Sequence, residues 1–325
     1  MDLSTNYLGL AMKSPLIASA SPLNRDVSNI RALEDNGAGA VVLPSIFEEQ
    51  IEAEVADVER LFSAGVDSFP EALSYFPQAA ARCSGVDRHL QLIRAAGEAV
   101  DIPVIASLNG ISDNGWTDYA RLVEEAGADA LELNIFFVPT DVGESGLDVE
   151  QRYIDILRSV DEVVDIPIAM KLSPYFSSIG HFITQLDDAG ADGFVLFNRF
   201  YEPDIDLGTL RLRRDLELSS PSEIRLPLLW IAALIGQVRG SLAASTGVES
   251  AEQVIKYLLA GADVVMTTSA LLRHGVAHMK TLVDGLTQWL AARDLASVNA
   301  VRGSLSQRRV RDPVAFERAN YVEIL

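Results

Sequence analysis

One phrase recurs along the chain and limits what it can fold into. It reads NGAGAVVLPS at 36–45, AGADALELNIFFVP at 126–139, AGADGFVLFNR at 189–199 and AGADVVMTTS at 260–269. The copies begin 90, 63 and 71 residues apart, spacings too irregular for a solenoid. Each copy reads as a helix stop, a tight turn, a buried strand and a polar strand end. Gly127 suits the left-handed position just past a helix end. A second phrase interleaves with the first: VDIPVIASLN at 100–109 and VDIPIAMKLS at 164–173. Both are Pro-initiated apolar runs that close on polar residues. Parallel strands buried on both faces have this continuous apolar character rather than alternation. Helical patterns separate the runs, giving the strand–helix rhythm of a parallel sheet.

Taken in order, the pattern predicts strands at 15–20, 40–43, 103–108, 130–136, 167–172, 193–197, 242–245 and 264–267. Helices are predicted at 27–35, 86–99, 116–126, 148–163 with Asp148 as N-cap, 179–189, 228–238 after Pro227, 249–259 and 276–292. Eight of each make a TIM (β/α)8 barrel, read as a single flavin-binding domain over 1–325. Residues 1–14 alternate weakly around Tyr7, Leu8 and Gly9 and are read as an N-terminal hairpin closing the barrel bottom. Long excursions follow strand 2 (46–81) and strand 6 (200–225), where segments roof a barrel's catalytic face. The tail, 303–325, is expected to pack back on the barrel.

Composition narrows the partners. The formal charge is −20, from 26 basic and 46 acidic residues, which argues against nucleic acid or an anionic membrane as partner. One cysteine, Cys83, leaves no internal disulfide and no Cys-ligated cluster within the chain. The histidines are His89, His181, His274 and His278. The last two, four apart, read as one solvated helix face, and no metal site is expected. No run of about 18 apolar residues occurs. The N-terminus lacks a charged segment followed by an apolar one. A soluble cytoplasmic protein is expected.

In this fold, chemistry sits at the C-terminal strand ends. Those ends carry Ser19, Ser21, Ser45, Asn109, Asn134, Lys171, Ser173, Asn198, Arg199, Ser245, Thr246, Thr268 and Ser269. Turn capping accounts for a share of these serines and asparagines. Three features go further. ASTGV at 244–248 and TTSA at 267–270 leave backbone N–H groups free to hold a phosphate. Lys171 lies inside the apolar run IAMKL, where a lysine is either functional or paired, with Glu132 on the adjacent strand as the pairing candidate. Asn134 and Asn198 flank Lys171, an arrangement able to read the edge of a flat heterocycle. A phosphate grip and a lysine facing a heterocycle suit flavin mononucleotide (FMN), whose reduced ring a cation stabilises.

With SPLIASAS, GAGAVVLPS, LELN, MKLSPYF, ASTGV, LLAGADVV and TTSAL in this order, the chain resembles the dihydroorotate dehydrogenase family from Ser14 to about Ala292. The resemblance implies an FMN-dependent barrel that oxidises dihydroorotate to orotate in pyrimidine synthesis. It implies that Ala20 and Ser45 lie near the flavin, that Asn134 and Lys171 contact its ring, and that Thr246, Gly247, Thr268 and Ser269 hold its phosphate. Asn134 and Asn198 would face a small-molecule substrate. A homodimer and an electron-transfer partner protein are also expected.

The departures are as specific as the matches. The family's base, Cys or Ser, lies after strand 4 in a pattern like LNxSCPN, whereas this chain reads LNIFFVP and Phe137 stands at the base position. Phenylalanine cannot take a proton. Pro139 lies near the place of a family Asn. Pro44 takes the place of a Lys after strand 2. DSFPEALSYF replaces an Asn-rich loop, and a Gly-Gly flavin contact is missing near Glu223. This is the pattern of a divergent branch, either a dihydroorotate dehydrogenase with an altered base or a relative acting on another small molecule, with the second favoured. Two readings compete: a Schiff-base aldolase using Lys171, and a non-catalytic flavin-binding subunit. Colour separates the first, because only a flavoprotein is yellow.

Overall fold

The computed structural model describes residues 1–47, 85–110, 116–199, 203–213 and 217–311. Strands β1 (Thr5–Tyr7) and β2 (Leu10–Met12) form an antiparallel hairpin. Then follow β3 (Leu16–Ala18), α1 (Val27–Asp35), β4 (Ala40–Val42), β5 (Ile46–Phe47), α2 (Gly85–Gly97), β6 (Val104–Asn109), α3 (Trp116–Glu125) and β7 (Ala130–Asn134). Next come α4 (Gly146–Asp161), β8 (Ile168–Leu172), α5 (Ile179–Asp188), β9 (Gly193–Leu196), β10 (Asp204–Asp206) and β11 (Arg211–Arg213). The chain continues through α6 (Arg225–Leu234), β12 (Ser241–Ala244), α7 (Ala251–Ala260), β13 (Val264–Thr267), α8 (Ser269–His274) and α9 (His278–Ala291).

The parallel pairings run β3–β4–β6–β7–β8–β9–β12–β13 and return from β13 to β3. That closure makes an eight-stranded (β/α)8 barrel, the predicted fold. Each strand is apolar on both faces for a reason visible in the packing. Ile17, Val42, Ile105, Ala130, Ala169, Val195, Ala243 and Met266 fill the barrel interior, together with Tyr7, Leu8 and Met12 of the hairpin. Their alternating neighbours, among them Leu16, Val41, Val104, Leu131, Met170 and Phe194, face the helices through Ile30, Leu33, Ile93, Val123, Leu157 and Ile183. Each of these Val, Leu, Ile, Met and Phe side chains contributes about 1.5–3 kcal/mol by leaving water.

The glycine that stops each preceding helix adopts the left-handed region, at φ 93° for Gly127 and between 91° and 133° for its counterparts Gly37, Gly190 and Gly261. The N-terminal hairpin closes the barrel bottom as expected, with Tyr7 fully buried. Gly193 gives the hairpin room to seat, since a Cβ would lie 2.6 Å from Leu8 Cδ2. The end of the described chain does pack back: Gly303, Leu305 and Gln307 donate backbone N–H bonds to the carbonyls of Leu258, Leu259 and Ala232.

Several expectations need correcting. The N-cap of α4 is Ser145, not Asp148; Asp148 is the third helical residue and closes a capping box with Ser145. Helix α6 starts earlier than predicted, at Arg225 after a 3-10 turn, so Pro227 is its third residue, and it stops before Gly236. The helix predicted at 276–292 begins at His278, and the short α8 precedes it. His274 and His278 therefore belong to different helices. Their rings pack at 4.7 Å and both Nε2 atoms meet Glu249, one on its carboxylate and one on its carbonyl. No cluster suited to a metal ion occurs among the described residues. No helix among them is long and apolar enough to cross a membrane.

The excursion after strand 2 enters through β5, which pairs with the upper end of β6. Its remainder, with Cys83 and the 67–76 loop, lies outside the described residues, as do 312–325 of the tail. The excursion after strand 6 contains the exposed hairpin β10–β11, whose cross-strand pairs are Asp204–Arg213 and Asp206–Arg211.

Candidate active site

The inward periodicity of the strands decides what reaches the upper end of the barrel. Ile105 and Ala130 point inward, so two residues on, Ser107 and Glu132 do too, and Ala169 likewise aims Lys171 inward. All three polar residues are buried. Lys171 Nζ donates to Glu132 Oε1 at 3.1 Å, and Ser107 Oγ donates to the same oxygen at 3.3 Å. Ser45 Oγ lies 2.8 Å from Ser107 Oγ. The pairing candidate for Lys171 is thus present as a buried ion pair. The ion pair engages the amine that a Schiff-base mechanism needs free.

Beside this group, Asn198 Nδ2 donates to Asn134 Oδ1 at 2.7 Å, so the two predicted substrate amides hold each other. Phe197 at the end of β9 is held by the next strand: Ser245 Oγ and Thr246 Oγ1 both donate to its carbonyl, at 2.7 and 3.0 Å. Thr246 and Gly247 follow with φ 79° and 72°. Gly247 admits no side chain, because a Cβ would sit 2.7 Å from Ile224 Cγ2 and 2.8 Å from Ser220 O. Thr268 N-caps α8 and Ser269 begins it; the first N–H groups of a helix have no intrahelical partner.

A cavity of about 200 Å³ collects Ala20, Lys171, Asn198, Thr246, Gly247, Thr268 and Ser269. A second, of about 350 Å³, shares Phe197, Asn198, Arg199 and Thr246 with it. Together they reach ligand size. Asn134 joins this wall through Asn198, and Ser45 through the Ser107–Glu132 line. A cleft of about 540 Å³ opens at the opposite end of the barrel, beside Leu10, Arg94 and Asp129. Barrel enzymes do their chemistry at the other face.

Two parts of the site gave little sign in the sequence. Ser219 reaches across from the loop before α6: its Oγ donates to Ser269 Oγ at 2.9 Å and accepts from Gly247 N–H at 3.2 Å. A ligand oxygen can take over that second bond. Arg199 is fixed by Glu223 at 2.8 Å and by the Glu217 carbonyl. Ser107 is not among the predicted strand-end residues, although its place two residues before Asn109 on one face of β6 is a signal that could have found it.

The loop after β7 is latched from α4, and Phe137 stands where the family pattern has its base. Tyr153 Oη donates to the Ile135 carbonyl at 2.9 Å. The Arg152 guanidinium lies 4.5 Å over the Phe137 ring and bonds Glu144 at 2.5 Å.

A family model described as dihydroorotate dehydrogenase matches residues 2–290. The chain belongs to the dihydroorotate dehydrogenase family. It is 25% identical over 308 residues to a putative dihydroorotate dehydrogenase A (fumarate) of Aeropyrum pernix, covering 93% of this chain and 97% of that one. It is 25% identical to the catalytic subunit of dihydroorotate dehydrogenase B (NAD(+)) of Thermoplasma acidophilum, with 93% and 98% covered. The corresponding subunit of Methanothermobacter thermautotrophicus is 23% identical, with 93% and 97% covered. The chain is therefore an oxidoreductase of the dihydroorotate dehydrogenase type, which displaces the aldolase reading.

Proposed function

We propose that the chain is an FMN-dependent oxidoreductase that moves a hydride between a small CH–CH substrate and the flavin, and that this substrate is not dihydroorotate. The observation that carries the reading is the placement of Lys171 on one cavity wall with Thr246, Gly247, Thr268 and Ser269. A fixed ammonium and a cradle of hydroxyls and backbone N–H groups fit the two ends of FMN. When bound, the flavin supplies the hydride acceptor. In this reading Lys171 and Asn134 hold the ring, and Ala20 and Ser45 lie against it. The loops after β12 and β13 hold the phosphate, and Asn134 and Asn198 orient the substrate.

Phe137 supports a substrate other than dihydroorotate. Its ring packs against Arg152 and offers no proton acceptor, where a positioned base is worth roughly a hundred- to ten-thousand-fold. An electron-accepting partner protein belongs to the same reading, supported by relatives named as catalytic subunits. So does a homodimer, supported by the apolar hairpin residues Ile205, Leu207, Leu210 and Leu212, all more than half exposed.

The test is to load the purified protein with FMN or FAD, remove the excess, and record the absorption spectrum and the mass of whatever heat releases. FMN retained in near one-to-one amount is expected. Retention of FAD alone, or of no flavin, would overturn the reading.

A further inference from the structure

The polar group beneath the cavity forms a single line: Ser45 Oγ to Ser107 Oγ at 2.8 Å, Ser107 Oγ to Glu132 Oε1 at 3.3 Å, and Lys171 Nζ to that same oxygen at 3.1 Å. Because the one Ser107 hydroxyl proton goes to Glu132, Ser45 is the donor in the first bond. The line crosses neighbouring strands, from the loop after β4 through β6 and β7 to β8. Ser107 and Glu132 are fully buried, while Ser45 at the outer end is half-buried. One feature exceeds what a structural ion pair needs. Glu132 Oε2 is buried and finds no hydrogen-bond partner among the described residues. An unpaired oxygen on a buried carboxylate is costly while the group is charged and less so once it is protonated.

The groups that face Glu132 are Lys171 from β8, Ser107 from β6 and Tyr7 from the hairpin below. Burial first, and then the charge of Glu132, pushes the Tyr7 phenol well above its ordinary value. Tyr7 therefore stays protonated and takes up no proton in place of Glu132.

Resting on the flavin reading, we propose that Glu132 is a positioning and proton-accepting residue, holding Lys171 before turnover and taking a proton through Ser45 and Ser107 during it. If Lys171 holds a flavin, its reduction by hydride would bring two electrons and one negative charge to that site. Glu132 and Lys171 together are neutral, so without a compensating proton the dry site would carry a net negative charge. The second substrate hydrogen leaves as a proton to Ser45. Ser45 passes its own proton to Ser107, and Ser107 passes its own to Glu132. Both hydroxyls end neutral with their bonds reversed, Glu132 becomes an uncharged carboxylic acid, and Lys171 is released to face the new charge.

The test is an anaerobic potential titration of the FMN-loaded full chain across pH 6–9, beside Glu132→Gln. Each proton taken up with two electrons shifts the potential by about 30 mV per pH unit. The wild-type slope should be about 60 mV per pH unit, and that of Glu132→Gln about 30. Equal slopes in the two proteins would overturn the proposal, because the second proton would then reside elsewhere or not bind. Glutamine still accepts from Lys171, and a melting curve checks that the variant is folded. Ser107→Ala keeps the ion pair and gives an independent measurement. Its equilibrium slope should match wild type, while proton uptake followed with an indicator dye after rapid reduction should slow by on the order of a hundredfold. An unchanged uptake rate would overturn the serine path. A protein that takes up no FMN removes the cofactor reading and this proposal together, whereas a yellow protein with equal slopes removes only the proposal.

Discussion

At the lower end of the barrel, Tyr7, Leu8 and Met12 close onto Ile17, Val42, Ile105 and Val195 in a dry apolar plug. At the upper end the same strands finish on Ser19, Asn109, Asn134, Lys171 and Ser245, all buried and polar. The plug has many interchangeable contacts, each of modest strength. The upper end has few contacts, and its partners are specific. Glu132 accepts from both Ser107 and Lys171, and the Phe197 carbonyl accepts from both Ser245 and Thr246. Damage at the lower end should therefore be read in stability, and damage at the upper end mainly in what the cavity can hold.

Glu132→Ala should break this contrast most strongly. Removing one partner of a buried pair leaves Lys171 uncompensated and should cost about 3–5 kcal/mol in denaturant unfolding. Adding Lys171→Met to it should recover much of that loss. If Glu132→Ala is as stable as wild type, the pair contributes nothing to the fold and the upper end is purely functional.

The helical shell belongs to neither end, and His89 probes it. Burial first, and then the Arg25 charge, brings its pKa down from 6.5 to about 4. The unfolded chain takes a proton near pH 6.5 and the folded chain does not until about pH 4. This contribution to stability is complete above pH 6.5 and declines as the pH falls through that window, by on the order of 3 kcal/mol in all. His89→Leu should flatten the decline without changing FMN affinity.

Gly247→Ala and Met12→Ala sharpen the comparison. A residue at φ 72° against Ile224 is strained by about 1–3 kcal/mol, and the change reshapes the loop after β12, so FMN retention should fall while most stability remains. Met12→Ala should cost about 2–5 kcal/mol and leave flavin affinity intact. Parallel effects of both variants on binding and stability would mean that the two ends are not separable.

The barrel was legible because its strands repeat one phrase, and the helix-stop glycines carried that phrase into three dimensions. Strand ends were less legible. Strand β7 stops at Asn134 rather than at residue 136, because Tyr153 from α4 claims the Ile135 carbonyl. Asp148 read as a cap because the box partner Ser145 sits outside the helical periodicity. The separation of His274 from His278 was not legible, since their spacing of four suits one helix and Gly275 between them breaks it at φ 81°. In the site, Lys171, Asn134, Asn198 and the hydroxyl loops were visible as polar residues ending apolar runs. Ser219 and Glu223 come from an excursion with no periodicity, so only the fold shows that they touch Ser269 and Arg199.

The central claim is that the upper end keeps the cofactor chemistry and has lost the family's proton acceptor for dihydroorotate. Anaerobic mixing of the FMN-loaded protein with millimolar dihydroorotate, while the flavin band is watched, tests it directly. The expected result is no bleaching over seconds, in wild type and in Phe137→Cys alike, because Pro44 and Pro139 also remove polar contacts that the family pattern has. Bleaching of the wild-type flavin within seconds would contradict the claim and restore dihydroorotate as the substrate.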